Sequence, residues 1–334
     1  MRIGLLTSVG RTIDAFFEET VAVWGKEHAV RCAAGTPPAS AVPFDLIEGL
    51  TQRPAWTNLG VPARLERWAR QHDLDVIVTN TATASTLVRL RAMPCKVVYF
   101  CHGLHWNQGW HPAQVVERVL APRADSVITI NSDDYAWFSQ RHRNVIYLRE
   151  GVGVPASYRW TALPAGGRLE LVWAGDFVAR KRPVLAVEVV SELARLGCDV
   201  HLTMLGDGPM LEETRAAAVR LGTDNSISFP GRADVRPLIS NAHAVLHTAA
   251  WEGLPRILLE GAAMGRQAFA FDVKGVRDVP HAVLAPDADV SALAELVASQ
   301  KPERAVDPES ALSFRSDEVA LKILNHLKAV VAQA

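Results

Sequence analysis

Two glutamates stand eight positions apart in WEGLPRILLEGAAMG, residues 251–265: Glu252 and Glu260. Pro255 between them suits the first position of a helix, where its missing N–H has no partner to lose. That places Glu252 in the loop before the helix and Glu260 about two turns inside it, at roughly 1.5 Å per residue. The helix start between them offers free N–H groups and a partial positive charge, a natural seat for phosphate. Two acids about one diphosphate apart would suit a nucleotide-sugar, which is anionic in the middle and carries hydroxyls at both ends. Gly261, Ala262, Ala263 and Gly265 keep the helix slim enough to approach a sheet or ligand closely. On spacing alone the stretch is equally a capped helix with an early acid that favours the macrodipole.

Other stretches add candidate chemistry. DFVARKRP (176–183) holds three cations in a row, Arg180, Lys181 and Arg182. At a strand-to-helix turn they would neutralise a diphosphate leaving group. The alternative, a solvated basic helix start, is electrostatically disfavoured because cations oppose the dipole there. FCHGLHW (100–106) carries His102 and His105 around Gly103 at a strand end. Such histidines can hydrogen-bond a substrate hydroxyl, whereas a metal site would need further ligands that the spacing does not show. LGDGPM (205–210) puts Gly206 in a turn that fits either nucleotide contact or a plain need for positive φ. In KGVRD, Gly275 and Val276 could approach a ligand through the backbone. DLD (73–75) and DAD (287–289) read as solvated turns, not metal-binding pairs. With Arg180, Lys181 and a helix N-terminus available for phosphates, no metal and no cofactor is expected.

These residues need elements to position them. The chain has 334 residues, 49% hydrophobic and 21% charged, enough for two buried cores. Its formal net charge of -1 gives no electrostatic support for binding nucleic acid. Four scattered cysteines without a CxxC pair read as reduced thiols in a cytoplasmic protein. RIGLLT at the start has no signal-peptide layout, and no apolar run is long enough to span a bilayer. Short apolar runs alternate with amphipathic stretches: RIGLLT, AVRCAA, DVIVTN, KVVYFC, SVITIN and NVIYLR in the first half, LELVWAG, DVHLTMLG, SISFPG, HAVLHT and RQAFAFD in the second. Strands apolar on both faces and separated by helices predict parallel sheets covered on both sides. PASYRWTALPAGGRLE (155–170) reads as a linker. The expected architecture is α/β, two doubly wound Rossmann-like domains facing across a cleft. The boundaries are 1–157, a first Rossmann-like domain; 166–311, a second; and 312–334, a C-terminal helix packing back toward the first domain.

EGLP and LEGAAMG, with their two glutamates, resemble the signature of the retaining glycosyltransferases of family four, which have the GT-B fold. VVYFCHGLHW followed by ADSVITINSDDYAWF resembles the N-terminal domain of bacterial surface-polysaccharide and glycan-assembly members, and GVGVP the end of that domain. LVWAGDFVARKRP, LGDGPM, FPGRADV and FDVKGVRDV match donor-domain segments in the right order. The resemblance implies that Glu252 contacts hydroxyls of the donor sugar and Glu260 holds the nucleotide ribose. The backbone around Gly253, Leu254 and Pro255, followed by Arg256, lies at sugar and phosphate. It implies a donor-site histidine at His102, a base contact at Arg232, a diphosphate lysine at Lys181 and acceptor contacts at His105 and Gly10. The family's early arginine is missing, since Asp176 occupies its place. Arg180 is the candidate replacement and Arg256 the next.

The expected activity is transfer of a sugar from a nucleotide-sugar, a UDP-sugar first, to a hydroxyl of a lipid-linked glycan or small molecule, with retained configuration and no metal. Related readings are a metabolite glycosyltransferase, a nucleotide-sugar epimerase of the same fold, and a non-catalytic sugar-nucleotide-binding subunit, for which Asp176 leaves room. A nicotinamide-dependent dehydrogenase would need GxGxxG after a strand, and Gly10 stands alone there. Peripheral contact with the inner face of a membrane stays open, as does the oligomeric state.

Overall fold

The computed structural model describes residues 1–104, 111–300, 307 and 314–333. These form two units, Met1–Pro155 with Ser316–Ala334, and Ala156–Arg315.

The first unit is built on β1 (Arg2–Leu6), β2 (Ala29–Ala34), β3 (Phe44–Leu46), β4 (Val76–Thr79), β5 (Lys96–Cys101), β6 (Ser126–Thr129) and β7 (Val145–Tyr147). They make one parallel sheet in the order β3-β2-β1-β4-β5-β6-β7. Every residue of β4 and β6 is buried, as a sheet covered on both faces requires. The helices are α1 (Arg11–Phe16), α2 (Glu18–Trp24), α3 (Val61–Gln71), α4 (Ala82–Arg89), α5 (Pro112–Leu120) and α6 (Ser132–Ser139). The C-terminal helix of the chain joins this unit. It packs on α2, and the buried Trp24 indole donates to Ala320 O at 2.8 Å.

The second unit holds β8 (Leu169–Ala174), β9 (Val200–Leu205), β10 (Ile227–Gly231), β11 (Ala244–His247), β12 (Gln267–Phe271) and β13 (Val283–Ala285), parallel in the order β10-β9-β8-β11-β12-β13. Its helices are α7 (Pro183–Arg195), α8 (Leu211–Arg220), α9 (Val235–Ser240), α10 (Arg256–Ala263) and α11 (Val290–Gln300); α12 (Ser316–Ala332) is the helix of the first unit. The strand order reverses between β8 and β11, so the loops leaving their carboxyl ends diverge there. Such a switch point is where doubly wound sheets receive ligands.

The stretch expected to be a linker is corrected in part. Residues 156–165 belong to the second unit because they satisfy a buried charge. Arg266 is fully buried and donates to Thr161 O at 2.7 Å, Ala162 O at 3.0 Å and Ser240 O at 2.7 Å. A guanidinium out of water must fill its donors, and the chain folds back to do so.

Candidate functional site

The turn after β8 carries the cations. It runs from Gly175 through a single 3-10 turn, Ala179–Lys181, to Arg182, which has a left-handed φ of 48° and leads into Pro183 at the start of α7. The segment after β11 fastens this turn. The Ala250 N–H donates to Arg180 O at 2.8 Å. Thr248 Oγ1 lies 3.0 Å from both Lys181 O and Arg182 O, and it accepts from Trp173 Nε1 at 3.1 Å. Thr248 and Trp173 are buried. With one hydroxyl hydrogen, Thr248 serves the two carbonyls in alternation.

Both expected cations converge on Glu252. Lys181 Nζ bonds Oε1, and Arg180 NH1 lies 2.7 Å from Oε2. Arg180 NH1 also reaches Trp251 O at 3.1 Å, and its guanidinium lies 5.0 Å from the centre of the Trp251 ring. The third cation departs from expectation: Arg182 turns away to Asp287 Oδ1 at 2.5 Å. His247, at the end of β11, is 2% exposed, and its Nε2 stands 3.5 Å from Glu252 Oε1 without making a hydrogen bond. Burial pushes the Glu252 carboxyl up. Nearby His247 and the charges of Lys181 and Arg180 outweigh it and hold the group well below the usual carboxylate range.

The backbone of Glu252 is fixed from the opposite side. Its N–H donates to Lys274 O at 3.0 Å. Gly275 follows with a φ of 76°, so close that any Cβ there would strike the carbonyls of Glu252 and Gly253. Gly275 is required by this approach as well as by its φ.

The helix expected to start at Pro255 starts one residue later. Pro255 is the cap, with extended ψ of 108°, and Arg256 opens α10. Gly261 brings α10 onto β11: a Cβ there would lie 2.5 Å from Val245 Cγ2. Glu260 is buried on this helix, with Arg256 NH2 3.2 Å from Oε1 and the Tyr158 hydroxyl within hydrogen-bonding reach. Burial dominates and raises its carboxyl above the ordinary value, against the pull of Arg256 and Tyr158. The two acids therefore have opposite electrostatics. Glu252 is already compensated, whereas Glu260 gains from any hydrogen-bond donor brought to it.

The remaining expected residues fall into three groups. Gly206 has a φ of 131°, donates to Gly231 O at 2.9 Å, and lies too close to Gly175 O for any side chain. Its turn is thus needed structurally. Val276 is buried, and its N–H donates to Val273 O at 3.1 Å. Leu254 and Gly253 lie in the loop just before the Pro255 cap. Arg232 is largely exposed, with NH2 3.6 Å from Asp176 Oδ1, so the acid in the family's arginine position is itself paired with a cation. In the first unit, His102 follows β5 and packs among Phe16, Phe17 and Phe100, with ring centroids 5.2, 5.7 and 4.7 Å away. The Gly10 N–H donates to Thr36 Oγ1 at 3.0 Å, and a Cβ at Gly10 would meet the backbone of Pro37 and Pro38. His105 lies outside the described residues.

The DxD segments have structural partners. Asp73 and Asp75 pair with Arg2, Asp287 pairs with Arg182, and Asp289 caps α11 by accepting from Ala292 N at 2.9 Å. Among the described residues, no group of three or more His, Cys, Asp or Glu is placed to hold a metal ion, and no helix is long and apolar enough to cross a membrane.

Sequence reasoning missed Tyr158, His247, Thr248 and Trp173. Tyr158 sits in the stretch taken for a linker, about a hundred residues before its partner Glu260 in sequence. His247 and Thr248 close the apolar run HAVLHT, where a polar pair after a hydrophobic strand was the available signal.

The family models divide the chain much as the fold does. Residues 20–147 match "Glycosyltransferase Family 4" and residues 168–299 match "Glycosyl transferases group 1". A curated relative, the putative glycosyltransferase EpsD of Bacillus subtilis (strain 168), is 27% identical over 247 residues, covering 66% of this chain and 65% of that relative. Crystallised HepE of Anabaena, in complex with UDP, superposes with a TM-score of 0.79 at 19% identity, covering 98% of this chain and 100% of HepE. Sucrose-phosphate synthase of Thermosynechococcus elongatus superposes with a TM-score of 0.81 at 16% identity, over 100% of both chains. The chain belongs to the family-four-like glycosyltransferases of GT-B fold.

Proposed function

We propose that this protein is a retaining, metal-independent glycosyltransferase that moves a sugar from a nucleotide-sugar, a UDP-sugar first, to a hydroxyl of a glycan, a lipid-linked acceptor or a small molecule. The observation that carries the reading is the convergence of Lys181 and Arg180 on Glu252, immediately before a helix that holds Glu260 buried. HepE, which shares the fold, has been crystallised with UDP and with UDP and glucose.

In this reading the donor diphosphate takes Lys181, Arg180 and the first-turn N–H groups of α10 as its counter-charges. Glu260 accepts from the ribose hydroxyls and Glu252 from the sugar. The bond between the anomeric carbon and the phosphate oxygen breaks as the acceptor oxygen bonds the same face of that carbon. The acceptor's proton passes to the departing phosphate oxygen. No carboxylate becomes a covalent nucleophile, and no metal enters the charge balance.

Nucleotide release from UDP-, GDP- and dTDP-sugars, with product analysis in the presence and absence of acceptors, tests the reading. A transferred sugar with retained configuration is the expected outcome. An epimerised free donor, or binding without turnover on every pairing, would overturn it. Activity is expected to persist in excess EDTA. Silencing by chelation with recovery in Mn²⁺ or Mg²⁺ would contradict the metal-independent site.

A further inference from the structure

His247 has no part in the reading above, yet it is the only side chain on β11 whose polar atom faces the sugar-side glutamate at close range. It is 2% exposed, and its Nε2 makes no hydrogen bond. An unpartnered ring nitrogen in the interior is costly to leave unmade. Glu252 Oε1 stands 3.5 Å from it, just beyond ordinary hydrogen-bond length.

Glu252 at present takes both cations of the turn after β8. A diphosphate would compete for the same two groups, and the carboxylate would then be left almost buried with a large part of its compensation gone. An uncompensated buried carboxylate takes up a proton. A protonated Glu252 would no longer be the acceptor that the donor-sugar role needs.

We propose that His247 is a positioning residue for Glu252: a neutral buried imidazole, with its hydrogen on Nε2, that closes on Oε1 when a diphosphate draws Lys181 and Arg180 away. It keeps the carboxylate ionised and oriented through the exchange of partners. This rests on the nucleotide-sugar reading of the same site. The groups that act on Glu252 are His247 from β11 and Lys181 and Arg180 from the turn after β8; Lys274 meets it from the opposite loop through a backbone carbonyl. The groups that act on His247 are Glu252 and the same two cations. Burial keeps the imidazole from charging and outweighs the opposing pull of Glu252. A neutral ring can still donate one hydrogen bond.

The test uses UDP as probe and proton linkage as readout. Calorimetric titration of the whole protein, in buffers of different ionisation heat, gives the number of protons exchanged on binding. His247→Leu fills similar space without a donor, and His247→Gln restores an N–H near the Nε2 position. In His247→Leu, UDP binding should take up as much as about one proton more than in the wild type as Glu252 protonates. Its affinity relative to wild type should then climb by up to about tenfold per pH unit as the pH falls. His247→Gln should behave as wild type. A core-filling role would change melting temperature without changing the proton count. Identical proton counts and pH profiles for His247→Leu and wild type would overturn the inference while leaving the donor reading intact. Absence of binding of UDP, GDP and dTDP alike by the wild type would overturn both. The wild-type protein supplies an independent check through ¹⁵N resonances of the ring with UDP bound. A neutral ring protonated at Nε2 at about pH 6 is expected, and a charged ring or an Nδ1–H tautomer would overturn the proposal.

Discussion

At the scale of single residues, Lys181 is the side chain on which the proposed chemistry leans most. Negative charge grows on the diphosphate as the glycosidic bond breaks, so a cation there stabilises the transition state more than the bound donor. Lys181→Ala should therefore lower turnover by about 10²–10³. Arg180 shares Glu252 with it and is further held over Trp251. If Arg180 also serves the leaving group, Arg180→Ala is comparably severe and the double mutant is far from additive. Kinetics of the four enzymes decide it; a silent Arg180→Ala would pass the second cation's role to Arg256. Glu260 is expected to separate binding from stability. Glu260→Gln loses a charge-assisted hydrogen bond to ribose, about 1.5–3 kcal/mol of nucleotide affinity, read by calorimetry with UDP. The unliganded protein should respond in the opposite sense. Burial raises the folded-state value of Glu260 above its unfolded value, so its stabilising contribution is complete only at acid pH and is lost as pH rises through the folded value. At neutral pH the ionised carboxylate costs stability. Glu260→Gln should then melt higher than wild type near about pH 7, with the gain shrinking as the pH falls toward the ordinary carboxylate range of about 4. Equal melting curves at both ends would contradict this.

At the scale of elements, the working unit is the end of β11 with the turn after β8. Thr248, through its two carbonyl contacts and its bond from Trp173, sets where Lys181 and Arg180 begin. Thr248→Val keeps the shape and removes the hydroxyl. It should lower turnover by about tenfold with little change in melting temperature, and Thr248→Ser should restore it. In a Lys181→Ala background the same change should cost much less, because both act through one turn. Much of this layer was legible in the sequence. Runs such as DVIVTN and SVITIN are β-branched and apolar without alternation, which is how strands covered on both faces read. The acids, Lys181 and Arg180 stood out by type and spacing. What escaped was short or long-range. Phe44–Leu46 and Val283–Ala285 are three-residue edge strands, too brief to show a pattern. The second-unit membership of residues 156–165 depends on Arg266 a hundred positions downstream, a charge whose burial no local window shows. That Lys181 and Arg180 both rest on Glu252 is likewise a fact of tertiary approach between two loops.

At the scale of the whole molecule, each unit has its own sheet and its own buried core, and the chain closes the first with its last helix. Along α12, Val319, Ala320, Ile323 and Leu327 are fully buried. The helix is also tied by polar contacts to distant parts of the same unit. The Ser316 N–H donates to Val154 O at 3.0 Å, His326 Nε2 meets Ser126 Oγ at 2.7 Å, and Lys322 pairs with Glu150 at 2.7 Å. Burial of each large aliphatic side chain contributes about 1.5–3 kcal/mol, and a domain's net stability is only about 5–15 kcal/mol. Removing the helix would therefore use up most or all of what holds the first unit together. The groups proposed to hold the nucleotide, Lys181, Arg180, Glu252 and Glu260, all lie in the second unit, whose fastenings run through Thr248, Trp173, Arg266 and Gly275. A chain ending at Arg315 should accordingly lose the calorimetric transition of the first unit, keep that of the second, and lose all transfer activity while still binding UDP. Loss of both transitions together would show that the second unit does not stand on its own core. Retention of full activity would show that α12 is dispensable to the first.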